Sequence, residues 1–442
     1  MEKFKSLLIL LAVLAFVIAA LYAIRDHRWR WDATNNARNT LNETTRNLLG
    51  QLPGPLHVTA YTTPQDAELG DIRKIIVDFI APYQHEKPDL TLDIVDPREN
   101  PQQAQAENIR ANGEMVLAYN GRKEHLLALN EQAVANALMR LARTREHWIM
   151  FLTGHGERRA DGIANHDLGD FGRQLQSKGF NILPLNLAAA QSVPANASFV
   201  VIASPQIDVP PAEVEKIKHY LEHGGNLLWL IDQEPLHGLQ PLSEYLSLLL
   251  TPGTIVDPAA TDLRSAATMA IASAYANHAI TQDFNLNTLF PFSRRIAVND
   301  NQEWHVTPLV EVAQRGWVET DALENGKIAF DKQRDTPGPV TVAVTLERNI
   351  GDKEQRIVVV GSGHFLANTY LGNGGNLDLG INMANWLAGD DAFISVQPRP
   401  TLDHSLNLGR RAQTAIVWGH LILLPAAFLL IGAVAWWRRR RA

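Results

Sequence analysis

His147-Trp-Ile-Met-Phe-Leu152-Thr-Gly-His-Gly-Glu157, "HWIMFLTGHGE", is the stretch on which the fold turns. Six nearly unbroken apolar residues are too few for a buried helix and fit a strand covered on both faces. The run stops on two glycines around a histidine, as at a strand-to-helix turn. Similar runs recur at Phe199–Ser204 "FVVIAS", Asn226–Asp232 "NLLWLID" and Arg356–Gly361 "RIVVVG". Helical patterns separate several of them: Leu168–Lys178, and a segment with Pro211 near its start and Gly224-Gly225 at its end. This alternation predicts an open, mostly parallel sheet with helices on both faces, over residues 146–411. Residues from about 251 to 340 are less regular and read as an insertion.

Upstream, over residues 31–145, "LHVTAY" (Leu56–Tyr61) reads as a strand and "DIRKIIVDFIAPY" (Asp71–Tyr83) as a helix. "LTLDIVD" (Leu90–Asp96) returns to period two, followed by a hairpin about Asn120-Gly121 and a helix from Asn130 to about Arg143. The order strand, helix, strand, hairpin, helix matches a thioredoxin-like module. The chain has no cysteine, which removes redox chemistry, disulfides, thiolate nucleophiles and Cys-ligated zinc together. The module is therefore read as structural or interaction-bearing.

The ends of the chain set the compartment. Leu7–Ile24 is an apolar stretch of 18 residues after Lys3 and Lys5, about the minimum for a spanning helix. A cleaved signal peptide is the competing reading, but the run exceeds the usual h-region of roughly 7 to 15 residues. Ile416–Trp437 is a second apolar segment, ending in Trp436-Trp437 and Arg438 to Arg441. An aromatic belt followed by arginines marks a cytoplasmic end. The expectation is two membrane spans (within residues 1–30 and 412–442), both termini cytoplasmic, and the main part extracytoplasmic. Residues 31–437 carry 31 basic and 45 acidic side chains, a formal charge of −14. That excludes a nucleic-acid footprint.

In a parallel sheet, the residues just past each strand emerge together at the carboxyl edge. This rule gathers Gly154, His155, Gly156 and Glu157 with Ser204, Asp232, Glu234 and Gly361-Ser362-Gly363-His364. His155, Glu157, Asp232 and His364 could serve acid–base, metal or ligand chemistry. They could equally cap turns. No His-Glu-x-x-His, G-x-S-x-G or Walker A motif is present, and "GSGHFL" lacks the third glycine of a dinucleotide turn. Asn277 and His278 in "ANHAIT" are further candidates for ligand contact or for capping. "TLFPFSRRI" (Thr288–Ile296) sets Phe290 and Phe292 beside Arg294 and Arg295, suited to a partner surface or to the core. No catalytic residue, metal ligand or cofactor is assigned.

"FLTGHGE" after the thioredoxin-like unit, "LEHGGNLLWLID", "ANHAIT", "TLFPFSRRI", "QRGWVET" and "RIVVVGSGHFLAN" before a C-terminal span together resemble the auxiliary component of gliding-motility-type ABC transporters. The resemblance implies a larger domain of the flavodoxin-like, glutamine-amidotransferase-like class, here without the cysteine nucleophile. It also implies a non-enzymatic subunit beside a separate permease and ATPase, in contact with membrane lipid. The chain departs from the family pattern at Ala279, where a proline is expected. An envelope glycan- or ligand-binding module and a His/Glu-dependent envelope hydrolase are the alternatives.

Overall fold

The computed structural model describes residues 41–394 apart from 66–69, 144, 234, 263–264, 300–302 and 321–328. Beyond these it describes Trp418, Pro425, Phe428, Leu429, Gly432, Ala433, Trp436 and Trp437. The chain divides into two compact units, residues 1–398 and 399–442. The eight described residues of the second are helical. The expected span at Leu7–Ile24, most of that at Ile416–Trp437, and Glu234 lie outside the described residues. Among the described residues, no helix is long and apolar enough to cross a membrane.

The fold is mixed α/β with parallel and antiparallel strands. After helix α1 (Glu43–Gly50) come β1 (Leu56–Tyr61), α2 (Ile72–Glu86), β2 (Leu90–Val95), α3 (Pro101–Ala106), β3 (Glu114–Tyr119), β4 (Arg122–Leu126) and α4 (Glu131–Ala142). They form a four-stranded sheet in the order β2-β1-β3-β4, with β1 and β2 parallel and the rest antiparallel. Helix α3 is an addition to the element order read from sequence, and α2 runs through Pro82 to Glu86. The Asn120-Gly121 turn has φ of 48° and 77°, the left-handed pair that a tight hairpin requires. Val58, Ile76, Ile80, Leu117, Val134 and Leu138 pack one core, which also takes in Phe393 from far along the chain.

The larger sheet has seven strands: β5 (His147–Leu152), β6 (Phe180–Leu185), β7 (Ala197–Ala203), β8 (Leu227–Leu230), β9 (His305–Val312), β10 (Val340–Ile350) and β11 (Lys353–Val360). The order is β9-β10-β11-β8-β7-β5-β6. The five strands from β11 to β6 are parallel, whereas β9 and β10 are antiparallel. Two strands lie outside the apolar runs read from the sequence. Strand β9 falls within the stretch expected as an insertion and extends the main sheet. The edge strand β6 was not anticipated, since Asn181 and Pro184 interrupt its apolar pattern.

Each apolar run splits by period two into both faces. Ile149, Phe151, Phe199, Val201, Leu228 and Leu230 join one core with helices α5 (Gly169–Ser177) and α7 (Asn376–Leu387). Met150, Leu152, Val200, Ile202, Leu227 and Trp229 join the other with α6 (Pro211–Glu222). Because α5 and α6 cover opposite faces, the order reverses between β5 and β7. The loops after these two strands flank that reversal, where ligand sites of open α/β sheets form.

Candidate functional site

Gly154 and Gly156 hold φ of 122° and 75°, conformations that side chains resist. The turn they make lets His155 lie back against Glu157. The His155 backbone N–H donates to Glu157 Oε2 at 2.8 Å, and Nδ1 lies 3.1 Å from Oε1. The other ring nitrogen, Nε2, is 3.5 Å from Oε2 of Glu213 on α6. All three residues are buried. One imidazole thus stands between two carboxylates on opposite sides, rather than three donors converging on a point. Among the described residues, no group of three or more His, Asp or Glu is arranged to hold a metal. The His155 carbonyl accepts from the N–H groups of Gln206 and Ile207 at 2.8 and 3.1 Å, tying the first loop to the one after β7.

A second cluster centres on Arg158, which the sequence reading missed. Its NH2 donates to Asp232 Oδ2 at 2.6 Å and lies 3.1 Å from His364 Nε2, while NH1 donates to the His166 carbonyl at 2.7 Å. A guanidinium can only donate, so the His364 ring accepts here and carries its proton on Nδ1. The remaining carboxylate oxygen, Asp232 Oδ1, accepts the Gly363 N–H at 2.9 Å. A Cβ on Gly363 would lie 2.0 Å from Ser204 Oγ and 2.4 Å from Asp232 Oδ1, so only glycine permits this approach. Ser204 itself sits at φ 53°, unusual without glycine. Arg294 closes the floor, donating from NH1 to the Asp232 carbonyl at 3.2 Å. The buried carboxylate is thus held by a charge-assisted bond and a backbone donor, an arrangement that fixes the rim.

The structure brings Ser204, Asp232, Gly363 and His364 together around Arg158, and places His155 and Glu157 in a cluster of their own. Asn277 and His278 fall elsewhere. Asn277 is exposed. His278 caps a short 3-10 turn starting at Ala279, its Nδ1 accepting from the Ile280 N–H. Its Nε2 is 3.0 Å from Glu347 Oε1, and the ring packs edge-on against Trp386. Glu347 pairs with Arg356, four positions before the carboxyl end of β11, which separates His278 from the rim. Phe290 is core, stacked on Phe365, whereas Phe292 meets the His364 ring at 5.2 Å. Arg158 carried a sequence signal in adjoining the glycine turn. Glu213 carried none to set it apart from Glu215 in the same helix.

Two family models match the chain. Residues 147–252 match a family described as an ABC-type uncharacterized transport system, and residues 35–128 match a domain of unknown function. No curated protein matches. Among solved structures, the chain is similar to an mmIFT52 N-terminal domain, with 16% identity over 54% of this chain and 97% of that one and a TM-score of 0.42. A ThuA-like protein from Parabacteroides merdae shares 12% identity over 58% of this chain and 94% of that one, TM-score 0.37. Mitochondrial thioredoxin 3 from Saccharomyces cerevisiae shares 19% over 21% and 83%, TM-score 0.17. These TM-scores are too low to carry an argument. The match at 147–252 supports an auxiliary role in ABC-type transport.

Proposed function

We propose that the chain is a non-enzymatic accessory subunit of a gliding-motility-type ABC transporter. In this reading, the segments at Leu7–Ile24 and Ile416–Trp437 anchor it in a bacterial inner membrane beside a separate permease and ATPase. A thioredoxin-like module over 31–145 and a larger α/β domain over 146–411 are held on the extracytoplasmic side. The observation that carries the reading is the family match over residues 147–252, which spans the strands and loops flanking the reversal of strand order. The geometry accords with it. His155 is held by Glu157, with Glu213 3.5 Å away on its other side, and Asp232 is held by Arg158 and Gly363, so these buried groups brace the loops at the carboxyl rim. With no Walker motif in the sequence, ATP hydrolysis falls to another chain.

Purification of the full chain in mild detergent, from cells that also express the permease and ATPase, tests this. Both subunits are expected in stoichiometric recovery. Isolation of the chain alone, under conditions that keep other ABC complexes intact, would count decisively against it.

A further inference from the structure

The module and the large domain share one covalent connection, residues 143–147. Units joined in this way move against each other unless a substantial interface holds them. Here the chain returns to the module after α7. A short 3-10 turn (Asp391–Phe393) lays the buried Phe393 ring into the module's own core, in one cluster with Leu48 and Leu49 of α1 and Leu138 and Met139 of α4. Gln51, at the end of α1, donates from Nε2 to the Ala392 carbonyl at 3.0 Å. Charge backs this apolar contact. Arg143, buried at the end of α4, donates from NH2 to Asn385 Oδ1 at 2.7 Å, and its Nε lies 3.2 Å from Asp390 Oδ2. The same carboxylate oxygen faces His147 Nε2 at 3.1 Å. The guanidinium carbon of Arg143 stands 3.9 Å from the centre of the Phe180 ring and 5.5 Å from that of Phe393, within cation–π reach of both. Burial lowers the Arg143 pKa to about 10, and Asp390 opposes that shift. Asn385 Nδ2 donates to the Phe393 carbonyl at 2.9 Å, so one asparagine of α7 holds both the arginine and the turn.

We infer that residues 385–393 act as a clasp: closed, they fix the module against the large domain, and open, they leave it free to swing about residues 143–147. Two further hydrogen bonds cross the junction, Arg140 NH1 to the Ser177 carbonyl at 2.5 Å and Lys178 Nζ to Asn136 Oδ1 at 3.2 Å. Neither brings an apolar side chain or a compensating charge to the module, whereas the clasp brings both. Asp390 is the carboxylate that compensates the buried Arg143, and a buried charge deprived of its counterpart is costly. Phe393 fills space that the module's own residues leave for it. The clasp stands whether or not the chain serves a transporter.

The chain has no cysteine, so Asp78→Cys on α2 and Glu215→Cys on α6, both at exposed positions, carry a pair of spin labels without competition. Pulsed dipolar spectroscopy on the full chain in mild detergent then reads the distance between module and domain. One narrow distribution is expected for the doubly labelled parent. Phe393→Ala and Asp390→Asn should each at least double its width while circular dichroism stays that of the parent, and Phe393→Leu should keep it narrow. Leu371→Ala, a truncation within the large domain's own core, should leave the width unchanged. A broad distribution in the parent overturns the clasp, as does a narrow one in both Phe393→Ala and Asp390→Asn. Equal widening by Leu371→Ala overturns it too, since lowered stability alone would then loosen the junction. Should Phe393→Ala fail to fold, Asp390→Asn, which leaves the module's core intact, decides.

Discussion

Arg158 and Asp232 meet at 2.6 Å across the carboxyl edge of the large sheet, joining the loop after β5 to the end of β8. Both are buried, so removal of either leaves a charge without its counterpart. Arg158→Met or Asp232→Leu is expected to cost about 3–5 kcal/mol, and the double variant clearly less than the sum. Urea unfolding of the four proteins measures this. Additive losses would mean that the two groups act independently.

The glycines of the opening turn matter through their backbone. Gly156 has φ 75°, and a Cβ there would lie 3.0 Å from Gln206 Cβ. Gly156→Ala should cost about 1 kcal/mol or more. Gly363→Ala should cost more again, because the added carbon meets Ser204 Oγ and Asp232 Oδ1 in a packed site. Thermal melts of both variants give the ranking, and equal stability would contradict it.

His155→Ala and Glu157→Gln separate contact from scaffold. If the rim is a contact face, both variants fold and associate more weakly with the permease. If the cluster only braces the turn, melting temperature falls while association persists. Loss of a measurable hydrolytic turnover on His155→Ala, with folding intact, would instead favour the envelope-hydrolase alternative.

Lys178 is buried between α5 and its neighbours, its Nζ 3.2 Å from Asn136 Oδ1. Burial is the main cause lowering its pKa to about 8; Arg143 pushes the same way and Asp378 opposes. Below pH 8 the folded and unfolded states both carry the proton, and the cost of burying the charge is fully present. As pH rises from about 8 towards the unfolded value, the unfolded state binds more protons, and that cost is relieved. The stability of the native chain relative to Lys178→Met should therefore rise by up to about 3 kcal/mol between pH 7 and pH 10. Tyr83 and Tyr220, whose hydroxyls are pushed up by burial, contribute an opposite trend at higher pH that both proteins share. A pH-independent difference would show that Lys178 is solvated in the folded state.

A reporter fused after Arg441 should behave as cytoplasmic, and one inserted near Glu324 as exported. An exported carboxyl terminus would sink the proposed topology.

The sequence by itself determined the strands β5, β7, β8 and β11, because a strand buried on both faces must be apolar at successive positions. It also determined the turn at Gly154–Gly156, because positive φ selects glycine. The carboxyl-edge rule then brought Asp232, Ser204 and His364 together without any knowledge of distance. Other features depended on partners remote in the chain. Strand β6 is recognisable only once β5 is beside it, since Asn181 and Pro184 break its pattern. The stretch carrying β9 reads as irregular until β10 supplies its ladder. His278 looks like a companion of the other histidines, yet the antiparallel register of β10 brings Glu347 to it and leaves it away from the rim. Arg158 and Glu213 are ordinary surface residue types, and folding alone buries them: the carboxylate that meets Arg158 and the imidazole that stands 3.5 Å from Glu213 both come from elsewhere in the chain. Local pattern reports which backbone conformation and burial a segment can bear; which charges meet depends on pairings across long separations, and only the tertiary structure decided those.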